Sequence, residues 1–291
     1  MARAGRNSDS KVKHMGENVL QVIGVMVAII KTAECMTFPE KGNSEVFIAA
    51  IQRLAPPGVD LNSDHGIDIY CRTLLCDQFG DYFDPPLASY LKFEECREVL
   101  RSLLDMDGQL PCDVQIREFL DSAFMNIRDR TFFRTEDGRI GLRPGLARAT
   151  DEIVVLPGCP AAMILRPSHN GNGRYRVVGE CFIHDLMNGE ALLGPLPESY
   201  QHIRKLDRTN GYYLEAYQDN RTGDIQDEDP RFGLLQSEVR EDDVRRVYPT
   251  GFPRNIGDKD YIGLKIWTKR FVDEGEEVEV MRNDLQPFLL E

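Results

Sequence analysis

The sequence predicts an α+β protein, an N-terminal helical region followed by a small antiparallel β domain that is barrel-like. Three observations carry this. Up to about residue 128, apolar residues recur at spacings of three and four. From residue 129, Val, Ile and Tyr gather in short runs separated by turn residues. Residues 215–243 then hold ten acids and three bases, the mark of a solvated acidic face. The resulting division is a flexible tail over 1–13, a helical region over 14–128, the β domain over 129–200 and an acidic extension with a candidate hairpin over 201–291.

Each element has a local reason. Asn18 followed by Gln21 reads as a helix cap with its box partner, opening an almost wholly apolar helix to about Cys35. Ser44 caps a second helix, through Leu54, before Pro56-Pro57-Gly58. Ile67, Tyr70, Cys71, Leu74, Leu75 and Phe79 make the stripe of a third helix. Phe93, Cys96, Leu100 and Leu103 mark a fourth, and Ile116, Leu120, Ala123, Phe124 and Ile127 a fifth. Arg130–Arg134 and Arg139–Leu142 flank Thr135-Glu-Asp-Gly138, where Asp-Gly signals a hairpin turn. Glu152–Leu156, Met163–Arg166 and Arg174–Ile183 read as further strands, the last two joined by Asn170-Gly-Asn-Gly173. Gly211–Tyr217 reads as a strand leading into the turn Asn220–Asp224. Ile262–Trp267 and Glu277–Met281 read as a hairpin across Asp273-Glu-Gly275.

The chain has 291 residues with 35 bases and 48 acids, a formal charge of −13. Residues 1–200 carry 28 acids against 21 bases and 201–291 carry 20 against 14, so neither part offers the basic footprint that nucleic acid requires. Seven cysteines (35, 71, 76, 96, 112, 159 and 181) form no CxxC pair, and read as buried free thiols in a reducing, cytoplasmic setting. The longest apolar run, Val19–Ile30, is too short for a membrane helix of about 20 residues.

Between residues 130 and 190 the order of residues becomes specific. Phe132-Phe-Arg-Thr-Glu-Asp-Gly-Arg-Ile-Gly-Leu142 is followed by Asp151-Glu-Ile-Val-Val-Leu-Pro-Gly158 and Pro160-Ala-Ala-Met-Ile-Leu-Arg-Pro167. Then come Tyr175-Arg-Val-Val-Gly-Glu-Cys-Phe-Ile-His184 and Met187-Asn-Gly-Glu190. This resembles the region that follows the HET domain in fungal heterokaryon incompatibility proteins. Tyr70-Cys-Arg-Thr-Leu-Leu-Cys-Asp77 upstream, and Asn220-Arg-Thr-Gly-Asp224 with Asp229-Pro-Arg231 downstream, resemble further segments of the same family. Asp185 stands where the family usually has Gly, and Asn188 where it usually has Asp. The HET domain itself, linked to triggering cell death, finds no counterpart in the sequence. The resemblance implies an accessory or regulatory module in nonself recognition and programmed cell death, acting through a protein partner such as a HET-domain protein. It also implies structural roles for the signature positions Arg166, Gly179, Glu180, His184, Gly189, Glu190, Asp229 and Arg231.

Glu180, His184 and Glu190 are the candidates for acid–base work, since a carboxylate beside an imidazole shifts a pKa into a useful range. On a strand, Glu180 and His184 would share one face and Cys181 the other, which makes a Cys–His dyad awkward. The plainer reading has Glu180, His184 and Glu190 bonding backbone groups around a tight turn. Asp224, Asp227, Glu228 and Asp229 depart from the calcium-loop spacing and read as a solvated acidic loop. His14, His65, His169 and His202 are scattered, and Gly171-x-Gly173 is no dinucleotide fingerprint. Tyr212–Arg231 superficially resembles a WW domain, but the only tryptophan is Trp267. The sequence therefore predicts no catalytic set, no metal and no cofactor, and a non-enzymatic protein contacting neither nucleic acid nor membrane. The alternative is an enzyme using Glu180 and His184 in a β-domain pocket.

Overall fold

A computed structural model describes residues 12–16, 19–33, 44–53, 55–56, 58–106, 113–168, 173–231, 253–256, 259–267, 277–282 and 285–291. The described helices are α1 (Ser44–Arg53), α2 (Asp64–Leu74), α3 (Phe93–Leu104), α4 (Val114–Ile127) and the single turn α5 (Glu190–Leu193). The strands begin with β1 (Val12–Gly16), β2 (Val19–Ala33), β3 (Phe83–Asp84), β4 (Arg130–Thr135) and β5 (Ile140–Pro144). They continue with β6 (Glu152–Val155), β7 (Ala162–Pro167), β8 (Arg174–Ile183), β9 (Tyr200–Asp207), β10 (Tyr212–Asp219) and β11 (Ile225–Gln226). β12 (Pro253–Ile256), β13 (Lys259–Trp267), β14 (Glu277–Arg282) and β15 (Leu285–Leu290) complete the described strands. The largest sheet runs β1-β2-β4-β5-β8-β7-β6, and β6 also pairs β2, so the strand order returns on itself and the sheet is barrel-like. The fold is α+β.

The expected helix from Asn18 to Cys35 is instead the long strand β2. Val, Ile and Thr fill eight of its 15 positions, and β-branched side chains lose χ1 freedom in a helix but pack well on a pleated surface. Residues of both parities are buried, Val22 and Ile30 on one face and Val19 and Val25 on the other, so β2 shows no simple alternation.

The chain divides into two compact units. The first comprises Ala28–Glu152 and Val178–His184. Here α2 starts at Ser63, whose hydroxyl accepts the Gly66 N–H at 3.0 Å, and α4 starts at Asp113, whose carboxylate accepts the Gln115 N–H at 2.8 Å. The apolar stripes bury Ile51, Tyr70, Leu74, Leu100, Leu103, Phe119 and Ile127. Tyr70 stacks edge-on against Phe132 with centroids 5.5 Å apart, and its hydroxyl donates to the Ile51 carbonyl at 2.6 Å, which satisfies the one polar atom it carries into the core. β4 and β5 form the expected hairpin, closed by the Gly138 N–H on the Thr135 carbonyl at 3.1 Å, and β5 pairs β8 at Gly141↔Ile183 and Leu142↔Phe182.

The second unit comprises Ala2–Val27, Ile153–Val177 and Asp185–Glu291. Its core gathers Val22, Val154, Leu165 and Phe288, with Leu156, Met163, Tyr175 and Leu290 packed against them. β15 lies antiparallel to β2 from Leu285↔Val25 to Leu290↔Leu20 and parallel to β8 at Leu289↔Arg174. β9 and β10 form a long hairpin continued by β11. β12, β13 and β14 form a separate antiparallel sheet, in which Trp267↔Glu277 closes the hairpin read from the sequence. Of the expected tail, residues 1–11 lie outside the described residues, as do 232–243 of the acidic stretch, Asn170-Gly-Asn172 and the thiols Cys35 and Cys112.

Candidate functional site

In the first unit the end of β8 carries Gly179, Glu180, Cys181 and, just past it, His184. Glu180 accepts a hydrogen bond from Arg130 Nη2 at 2.5 Å, and its own side chain is 60% exposed, so this is a surface ion pair rather than a pocket carboxylate. The His184 N–H donates to the Ile140 carbonyl at 2.9 Å, which extends the β5–β8 pairing by one bond. Cys181 is buried, and burial pushes its thiol up to about 12, far from the thiolate a nucleophile requires. Cys76 is pushed up to about 12 by the same desolvation. Gly179 backs onto Pro144, whose Cγ lies 3.1 Å from where a β-carbon would stand.

In the second unit, Arg231 and Asp229 form a buried polar cluster. The Arg231 side chain is 3% exposed and that of Asp229 0%. Asp229 Oδ1 accepts the Arg231 N–H and Nε at 3.0 Å each, while Oδ2 accepts Arg231 Nη2 at 2.8 Å and the Tyr217 hydroxyl at 3.0 Å. The other faces of the guanidinium reach the loop around α5, with Nη1 donating to the Gly194 carbonyl at 2.8 Å and Nη2 to the Asn188 carbonyl at 3.0 Å. A planar fork with five donors is the one side chain able to bind a carboxylate and two separate carbonyls together. Asp229 is thus a buried partner, not the member of a solvated loop expected from its acidic neighbours. Asp224, Asp227 and Glu228 are exposed as expected, and Asp227 meets Lys205 Nζ at 3.1 Å.

The loop that Arg231 grips has its own constraints. Asp185 has φ 62° and Gly189 φ 84°. Asp is among the few non-glycine residues that accept this region of backbone conformation. Gly189 opens α5, its carbonyl accepting the Leu192 and Leu193 N–H groups, and Glu190 Oε2 accepts the Asn188 N–H at 2.7 Å. A β-branched residue at 189 meets strain at this φ, and Gly189→Val is expected to lose about 1–3 kcal/mol in chemical denaturation.

Burial raises the Glu190 carboxyl above its ordinary 4.5, against hydrogen bonds from its own and the Asn188 N–H and the positive charge of Arg231. The folded chain then holds this proton longer than the unfolded chain. Stability falls as pH rises from 4.5 towards the raised value, and Glu190→Gln is expected to flatten that slope in melting temperatures measured across it.

Arg166 lies half-buried on β7, in the second unit. The eight signature positions therefore fall into two sets, Gly179, Glu180 and His184 in one unit and Arg166, Gly189, Glu190, Asp229 and Arg231 in the other. Among the described residues no group of three or more His, Cys, Asp or Glu is placed to hold a metal ion, and no helix is long and apolar enough to cross a membrane.

Residues 98–195 match the Het-6 beta-barrel domain. No curated protein and no solved structure matches the chain. The Het-6 match runs from α3 to just beyond α5 and contains Arg166, Gly179, Glu180, His184, Gly189 and Glu190. Asp229 and Arg231 lie beyond it, yet Arg231 binds the backbone at its end, at Asn188 and Gly194. Arg130 and Tyr217, the partners of Glu180 and Asp229, lie on strands the sequence predicts, but nothing local marks them as partners. Their only signal is tertiary.

Proposed function

We propose that this chain is a non-enzymatic accessory or regulatory module of the heterokaryon-incompatibility type, which works in nonself recognition through contacts with a protein partner. The match of 98–195 to the Het-6 beta-barrel domain carries the reading. The chemistry of the candidate residues supports it: Glu180 binds Arg130, Glu190 binds the Asn188 N–H, and Arg231 is spent on Asp229 and two carbonyls. The exposed Glu180–Arg130 ion pair and, in the second unit, the buried bonds of Glu190 and Arg231 occupy these groups in holding the fold rather than in activating a substrate. The acidic stretch 215–243 gives a basic partner a steering field, so association through it weakens as salt rises.

The test is expression of the chain alone, and fused behind a HET domain, in one fungal strain. The chain alone is expected to be tolerated, and cell death from it overturns the accessory reading. In parallel the purified chain is expected to show no hydrolase or NAD-cleaving turnover. An activity that vanishes in Glu180→Gln or His184→Ala would establish the enzyme instead.

A further inference from the structure

Within the first unit α2 and α3 run antiparallel, and three contacts fix their register. Arg101 Nη2 pairs with Asp64, Arg97 Nε meets Asp68 at 2.5 Å, and the Arg72 guanidinium stands 4.1 Å from the centre of the Phe93 ring. Each step of four residues forward on α2 is answered by four back on α3. In that register Cys71 of α2 is level with Glu94 of α3, and Cys96 stands two residues further on, about 3 Å along the axis. The two thiols meet between the helices, where the Cys71 S–H donates to the Cys96 sulfur. Both are free, and they are 0% and 2% exposed. Burial, and after it this hydrogen bond, keep the Cys71 thiol protonated well above its ordinary range, so the pair is inert while the helices are packed.

We infer that Cys71 and Cys96 are a modification site, where a peroxide oxidises the pair to a disulfide that fastens α2 to α3. Reaction begins when the two helices part in a local opening. One thiol gives up its proton, and its sulfur attacks a peroxide oxygen and breaks the O–O bond. That sulfur becomes a sulfenic acid, while the departing hydroxide takes up the proton as water. The second sulfur, deprotonated in turn, displaces hydroxide from the first. The S–S bond forms, the S–O bond breaks, and a second water leaves. Two thiols have then passed two electrons to one molecule of hydrogen peroxide. A resolving thiol already in contact ends the sequence at the disulfide, short of the irreversible sulfinic acid. The lock therefore registers peroxide and helix opening together. It is independent of the family reading, and its failure leaves that reading untouched.

The test treats the full chain with millimolar hydrogen peroxide under native conditions. The remaining thiols are then blocked with N-ethylmaleimide, and the chain is digested without reduction and mapped by mass spectrometry. A peptide pair joined through Cys71 and Cys96 is expected. The melting temperature should rise by about 5–10 °C, because the bond closes a loop of about 25 residues. Dithiothreitol should reverse both changes. Cys76→Ser should leave them intact and Cys71→Ala should abolish them. Arg97→Ala, which removes the ion pairs to Asp68 and Glu94, should speed the cross-link several-fold by easing the opening. No Cys71–Cys96 peptide, a link made through Cys76 instead, a melting temperature that the link does not raise, or a rate unmoved by Arg97→Ala overturns the proposal. The link is mapped in the unaltered chain, so a variant that fails to fold does not decide the outcome.

Discussion

Arg231→Ala is expected to destabilise the second unit by about 3–5 kcal/mol, because it strands a charge in the interior. Asp229 has no exposed side-chain surface, and three of its hydrogen bonds from side-chain donors come from Arg231, while the backbone N–H of residue 231 and the Tyr217 hydroxyl stay as neutral donors. The Gly194 and Asn188 carbonyls lose their guanidinium donors at the same time, so the loop around α5 loosens with it. At about 2–4 °C per kcal/mol, the thermal transition of that unit should fall by roughly 10 °C. Arg231→Lys restores the charge but not the fork, and should recover only part of the loss. Pairing Arg231→Met with Asp229→Asn removes the uncompensated charge and should be milder than Arg231→Ala alone. An unchanged melting curve in Arg231→Ala would show that the cluster bears no load.

Gly141→Ala is expected to cost about 3 kcal/mol, the upper end of ordinary overpacking. A β-carbon at 141 would stand 2.3 Å from the Phe182 carbonyl oxygen and 2.5 Å from the Phe133 ring. The ring could be trimmed, but the carbonyl belongs to the β5–β8 pairing and cannot withdraw without breaking it. Phe133→Leu should therefore fail to rescue Gly141→Ala, and unfolding of the double variant in denaturant should be at least as easy as that of either single one. Rescue by Phe133→Leu would place the conflict in the ring instead of the backbone.

The contrast between α2 or α4 and β2 shows which features the sequence discloses. The helices repeat their buried residues every three or four positions and carry Ser63 or Asp113 at their starts, so each can be read without its neighbours. β2 buries residues of both parities, and a continuous apolar run of that kind has no period to tell strand from helix. Its β-branched content was the better guide, and the apparent cap at Asn18 the worse one. β9 and β15 were missed for a related reason: their identity lies in partners distant along the chain. Glu180 and Glu190 were legible as singular residues in a turn-rich run, but their partners were not. Arg130 is 50 positions from Glu180, and Arg231 is 43 from the carbonyl of Asn188 it holds. Asp229 looked like one acid among several because exposure depends on Tyr217 and Arg231 closing over it, which no local pattern records.

The antiparallel pairing of β15 with β2 also sets a schedule for synthesis. Val25 is added about 260 residues before Leu285, its partner. At about 5–20 residues per second, the apolar strand β2 waits roughly 13–50 seconds for that neighbour, during which an edge destined for the interior remains available to other nascent chains. Production of this protein should therefore respond to chaperone supply and to slower growth temperature more than its finished stability alone would suggest.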